Sequence, residues 1–179
     1  MPAILRFLTL TLILAGLAAC STPDPRPGQH LSGRGPDLGA RGPIRDVITQ
    51  LHLDKSDRTL YLISDGAPVR AYDIDLGFSP KGHKLQEGDG RTPEGHYTID
   101  RRNPQSAFYR SIGISYPNRA DRVRAARLGV DPGGDIFIHG EANRKARTDW
   151  TAGCIAMPDD RMKEIFDVVA IGTPIYISP

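Results

Sequence analysis

Two short apolar runs hold the key to this 179-residue chain: Phe137-Ile138-His139-Gly140 and, after eight mostly polar residues, Asp149-Trp150-Thr151-Ala152-Gly153-Cys154-Ile155-Ala156-Met157. Each holds a short apolar stretch beside a Gly, Gly140 in the first and Gly153 in the second, which reads as a strand. A His closes one run and a Cys opens the next, fifteen residues later. If the two strands are neighbours in a sheet, the imidazole reaches the sulfur across them.

The surrounding chain is also strand-like. In residues 47–53, Val47, Thr49, Leu51 and Leu53 alternate onto one face, and residues 59–64 are apolar and β-branched or aromatic at most positions. Asp65-Gly66 then signals a tight turn into a run over residues 67–77, making a hairpin. Further strands are expected at 96–100, 112–116, 135–138, 153–157 and 174–177. Helical signals are few. Residues 121–128 allow two turns, stopped by Gly129. Met162, Ile165, Phe166 and Val169 recur at i, i+3, i+4 and i+7, which predicts an amphipathic helix opening near Pro158 and ended by Gly172. The expected class is mainly β, a sandwich or partly open barrel with one or two short helices.

Composition narrows the function. Hydrophobic residues at 39% and charged residues at 25% support one packed core and exclude wholesale disorder. Twenty-three Lys and Arg against 21 Asp and Glu leave a formal charge of +2, with no basic run, which argues against nucleic acid as partner. Two cysteines, Cys20 and Cys154, exclude a multi-bridge scaffold and a four-thiolate zinc site.

The N-terminal segment reads as an export signal. Arg6 precedes thirteen uncharged residues, 7–19, rich in Leu, Ile and Ala. This is shorter than the roughly 20 residues that span a bilayer and matches a signal-peptide core. Leu17-Ala18-Ala19-Cys20 resembles a bacterial lipobox, so residues 1–19 are expected to be cleaved and Cys20 to carry lipid. Simple cleavage near Ala19, releasing a soluble periplasmic protein, is the competing route. Residues 20–43 follow as a tether: five Pro and five Gly lie among the 23 residues 21–43. Residues 44–179 are then expected to be the folded domain that carries the His139 and Cys154 runs. Export places the chain in an oxidising compartment, and with Cys20 lipidated, Cys154 has no partner thiol and becomes a candidate reactive group.

The chemistry such a pair supports is nucleophilic. A thiol of ordinary pKa, about 8.5, is mostly protonated at neutral pH, and a nearby imidazolium favours the attacking thiolate. Gly153 lets a substrate carbonyl approach the backbone, where N–H groups at the turn can hold an oxyanion. The plain alternatives are a small buried Cys and a structural His. Around them, Trp150 is read either as a stacking surface for substrate or as packing under the loop. His83 and His96 border a Gly-rich segment, as cleft or turn residues. Asp89 and Arg91 are read as an ion pair, and Arg144, Lys145 and Arg147 as cations suited to an acidic peptide or simply solvated.

His139-Gly140 with Thr151-x-Gly153-Cys154-Ile155 resembles the signature of the L,D-transpeptidase (YkuD-type) catalytic domain. Gly82-His83-Lys84, Glu87-Gly88-Asp89-Gly90-Arg91-Thr92-Pro93-Glu94-Gly95 and Ile114-Ser115-Tyr116-Pro117-Asn118 are similar to that family as well, so the likeness spans most of residues 47–178. The resemblance implies a β-sandwich-like fold and a Cys nucleophile acting on peptidoglycan stem peptides, with no metal and no organic cofactor. Carried over, Cys154 is the nucleophile, His139 the general base and the Gly140 carbonyl its orienter. Gly153 and Cys154 supply oxyanion N–H groups, with Thr151 and Trp150 beside the substrate.

Two positions depart from the family pattern: Ala152 stands where most members carry His, and Ala156 where they carry Arg or Asn. The Gly-Cys-x-Ala-Met form is similar to a branch that includes a hydrolase freeing an outer-membrane lipoprotein from peptidoglycan. Three functions are therefore carried forward: a transpeptidase with stem peptides, or an outer-membrane lipoprotein, as partner; an amidase in which water resolves the thioester; and a non-catalytic wall-binding module held at the membrane by a lipid anchor. Each places the protein in the periplasm or cell envelope.

Overall fold

The protein is seen in a computed structural model that describes residues 42–140 and 149–179. The signal segment, Cys20, the tether up to residue 41 and the cations of the 141–148 loop lie outside the described residues. Eight strands, ordered β3-β2-β1-β8-β4-β5-β6-β7, form one sheet accompanied by two helices. The mainly β expectation is met.

The first strands follow from local sequence. β1 (Gln50–Asp54) and β2 (Thr59–Ser64) pair antiparallel, and Asp65-Gly66 turns β2 into β3 (Ala67–Asp73). The turn residues have φ of +48° and +79°, the two left-handed positions of a type I′ hairpin. The alternation proposed for residues 47–53 fails at its start, since Val47 is 78% exposed and Ile48 is buried. Burial alternates in the opposite phase over Val47, Ile48 and Thr49, and takes the expected phase only from Gln50.

The run over residues 67–77 is two pieces. Its apolar alternation continues through buried Ile74 and Leu76, but the chain changes partner after Asp73. Asp75 and Ala156 exchange both backbone hydrogen bonds, at 2.8 and 2.9 Å, and Phe78 N–H donates to the Thr151 carbonyl at 2.9 Å. The segment leaving the β3 edge thus bridges to the opposite edge, and the sheet becomes a partly open barrel.

β4 (Gly95–Ser106) runs well past the expected residue 100 and, with β5 (Tyr109–Ile114), makes a long hairpin arm. The ladder skips between Asn103 and Ser106, where Pro104 can donate no hydrogen bond. β6 (Phe137–His139) follows β5 antiparallel, and β7 (Ile155–Ala156) lies parallel to β6. β8 (Pro174–Ser178) sits between β1 and β4.

Helix α1 (Arg119–Leu128) begins earlier than its apolar spacing suggested. The Asn118 side chain accepts from the Ala120 and Asp121 N–H groups while Asp121 accepts from Asn118 N–H, a reciprocal capping box. Gly129, at φ +69°, ends the helix as expected. Helix α2 (Asp159–Val168) buries Met162 and Ile165 and stops before Gly172. Sheet pairing takes the chain over: Gly172 N–H donates to Ile99 O at 2.7 Å, and Ile99 N–H donates to Thr173 O at 2.9 Å.

Candidate active site

The register of the last strands builds the site. Ile138 pairs with Ile155 and His139 with Ala156. Paired residues share a face and neighbours along a strand alternate. Ile112, Ile138 and Ile155, all fully buried, therefore form one row toward the core. His139 and Ala156 take the opposite face, and Cys154, two residues before Ala156, continues it. The imidazole and the thiol thus share one face of two neighbouring strands.

His139 is 5% exposed. Its Nδ1 engages the Gly140 carbonyl, which can only accept, so Nδ1 carries the proton and the basic lone pair falls on Nε2. Phe108, at the tip of the β4–β5 arm, lies 4.7 Å from the imidazole centroid to centroid, and Trp150 lies 5.9 Å away edge-on. The ring is held on three sides. Gly140 has no room for a side chain: a Cβ there would sit 2.4 Å from Asp159 Oδ1 and 2.8 Å from Phe108 O. Trp150 is half-buried, and its indole N–H has no acceptor among the described residues. Its face packs toward Phe108 at 5.9 Å.

Cys154 is partly exposed, and its thiol donates to the Asp135 carbonyl at 3.5 Å. Burial pushes this thiol above its ordinary value, the Phe137 N–H pulls it down, and the Asp135 carboxylate adds to the rise. Together these effects leave the thiol pKa raised.

The turn before the sulfur is tied down by Thr151. Its buried hydroxyl donates to the Cys154 carbonyl at 2.6 Å and accepts from the Gly153 N–H at 3.1 Å. The Gly153 N–H is thus engaged within the turn, and the Thr151 hydroxyl is committed to the loop backbone. Among the described residues no acceptor is seen for the Cys154 N–H. Gly153 itself is required, because its φ is +132° and a Cβ would sit 2.7 Å from Arg91 O.

The loop is anchored further back. Arg58 forks onto the Asp149 carboxylate, with Nε at 3.0 Å from Oδ1 and Nη2 at 2.7 Å from Oδ2, and Asp149 also accepts from Leu76 N–H at 3.0 Å. Below it, Lys55 is 2% exposed and donates to Gly82 O, Thr92 O and Glu94 Oε1 at 2.7 to 3.0 Å. Burial lowers its pKa. Neither cation stood out in the sequence, because their partners are 91 and 39 positions away.

The Asp89–Arg91 pairing is replaced. Asp89 accepts the backbone N–H of Leu85, Gln86 and Arg91 and pairs with Lys84 Nζ at 3.0 Å. Burial raises its carboxyl pKa, but these donors together hold it below the ordinary value. His83 is an interior link: Nδ1 accepts from Glu94 N–H at 3.0 Å and Nε2 lies 3.1 Å from Asp121 Oδ1. His96 is exposed and stacks on Tyr176 at 4.6 Å. Among the described residues no three His, Cys, Asp or Glu side chains are gathered as metal ligands.

An eight-stranded curled sheet whose register brings an oriented histidine on one strand and a cysteine at the start of its neighbour onto the same face defines a cysteine–histidine domain. The chain belongs to the L,D-transpeptidase catalytic-domain family (YkuD), whose profile matches residues 49–177. YafK of Escherichia coli (strain K12), provisionally named an L,D-transpeptidase, is 33% identical over 140 residues, covering 72% of this chain and 50% of YafK. The helical cell shape determining protein Pgp2 of Campylobacter jejuni superposes with a TM-score of 0.60 at 26% identity, covering 75% of this chain and 48% of Pgp2. An L,D-transpeptidase of Xylanimonas cellulosilytica shares the fold at 18% identity and a TM-score of 0.50, covering 79% of this chain and 66% of that structure. The chain spans about half the length of the curated relatives it matches.

Proposed function

We propose that this protein is a cysteine acyltransferase acting on the stem peptides of peptidoglycan. Cys154 attacks the carbonyl beside the L-centre of a diaminopimelate-type residue, His139 Nε2 takes the thiol proton, and the Cys154 N–H holds the oxyanion. Collapse expels D-Ala, which receives the proton from the imidazolium, and leaves a thioester. An amine from a second stem or a protein Lys then attacks with His139 as base and frees the sulfur.

The carrying observation is the shared face of Cys154 and His139, with Nδ1 committed to the Gly140 carbonyl. The similarity to YafK and to the cell-shape protein Pgp2 supports a role in the wall. The lipobox-like residues 17–20 support a lipid-anchored place in the envelope, which intact mass of the mature protein from cell membranes tests.

Purified protein given disaccharide-tetrapeptide should release D-Ala and form cross-linked dimers, and Cys154→Ala should do neither. Release of D-Ala with no dimers makes water the acceptor and the protein an amidase. No turnover of any stem overturns the proposal.

A further inference from the structure

Ala156 is fully buried on the His139 face, so no cation can reach substrate from that position. One arrives sideways. Arg101 on β4 pairs with Gly113 on β5, and Gly113 pairs with Phe137 on β6; Cys154, next to Ile155 in the β6–β7 register, ends the same row. Arg101, Phe137 and Cys154 therefore share one face.

Gly113 is the gap in that row. A Cβ there would sit 2.4 Å from Arg101 Cγ and 2.6 Å from Nε, so the arginine lies flat across the glycine and runs toward the cysteine. Its guanidinium carbon is 4.5 Å from the Phe137 ring centroid. Nη2 bonds Asp135 Oδ1 at 3.1 Å, and the backbone carbonyl of that same Asp135 accepts the Cys154 thiol. The remaining guanidinium donors include Nη1, for which no partner is seen among the described residues, and the side chain is 43% exposed. Asp100 Oδ1, at 3.7 Å from Nε, and the highly exposed Asp135 are the anions beside it.

We propose that Arg101, laid over Gly113 toward Cys154, is the acyl-donor binding residue that reads a carboxylate on the substrate. Resting on the acyltransfer reading, this carboxylate is the free one at the far end of the diaminopimelate-type side chain. A planar guanidinium with unused donors suits bidentate capture of that group.

Two measurements on the full chain separate this idea from the catalytic reading. The first compares alkylation of Cys154 by iodoacetate and by iodoacetamide at low salt, read by mass spectrometry on the tryptic peptide carrying Cys154. Both reagents form the same S–C bond and release iodide, and only one carries a carboxylate. The iodoacetate-to-iodoacetamide rate ratio should fall about three- to tenfold in Arg101→Gln, the range expected of a half-exposed charged hydrogen bond. Arg101→Lys should restore part of it, and Asp135→Asn should raise it. A ratio unchanged in Arg101→Gln, even with both rates altered, shows a structural role and overturns the proposal.

The second compares KM for tetrapeptide stems with a free and an amidated side-chain carboxylate. Wild type should prefer the free acid, and Arg101→Gln should lose the preference with kcat little changed. If wild type turns over neither stem, the acyltransfer reading fails while the alkylation ratio still decides Arg101.

Discussion

Replacing Thr151 by Val keeps the shape of the buried side chain and deletes its oxygen. Two hydrogen bonds vanish together: the hydroxyl's bond to Cys154 O at 2.6 Å and the Gly153 N–H bond at 3.1 Å. Both backbone groups lie beside a side chain that is 4% exposed, so water reaches them poorly. At about 1 to 3 kcal/mol for each of the two stranded groups, less about 1 kcal/mol returned by the added methyl, the net loss is about 1 to 5 kcal/mol. Urea unfolding followed by tryptophan fluorescence reads this as a lower midpoint at unchanged slope. The same change frees the turn that carries the sulfur, so D-Ala release should fall by more than tenfold, while Thr151→Ser should recover most of both. A Thr151→Val protein with wild-type midpoint and wild-type turnover would refute the positioning role.

Other consequences follow from neighbouring contacts. Lys55→Met leaves Glu94 partly buried without its cation and should cost about 3 to 5 kcal/mol in urea unfolding. The Lys55→Met, Glu94→Gln double variant should regain most of that loss. Gly140→Ala forces a Cβ to 2.4 Å from Asp159 Oδ1, so it should cost about 1 to 3 kcal/mol and displace the imidazole, lowering turnover with little change in KM. Asp89 has a folded pKa below its ordinary value of 3.8. Its stabilisation is complete above that value and fades as pH falls through the lower folded one, and Asp89→Asn should therefore flatten the acid side of a stability-versus-pH curve.

Much of the architecture was legible because it rests on local chemistry. The Asp65-Gly66 turn, the β-branched run of β2, the Gly129 stop and the i, i+3, i+4, i+7 face of α2 each act within a few residues. The strands around His139 and after Cys154 were readable for the same reason, though the run expected over 153–157 shortens to Ile155–Ala156 and leaves Cys154 just before it. What escaped depends on partners far along the chain. The continuous alternation through Leu76 hides a change of partner at Asp73, and the end of α2 is decided by pairing of residues 172–173 with β4. Lys55, Arg58 and Asp149 look like ordinary surface charges until the fold brings them under the site. The engagement of the Gly153 N–H escaped too, because nothing local shows that the Thr151 hydroxyl turns back to meet it. The reciprocal cap at Asn118 and Asp121 was within local reach, signalled by its three-residue spacing.

The central claim is that Cys154 becomes acylated by a stem peptide with the help of His139. Intact-mass spectrometry of the protein mixed with disaccharide-tetrapeptide and quenched in acid tests it directly. The account predicts a mass gain equal to the stem less D-Ala, mapped to the peptide carrying Cys154, absent in Cys154→Ala and strongly reduced in His139→Gln. D-Ala release at the wild-type rate by Cys154→Ala, or an adduct formed equally well without the imidazole, would contradict it.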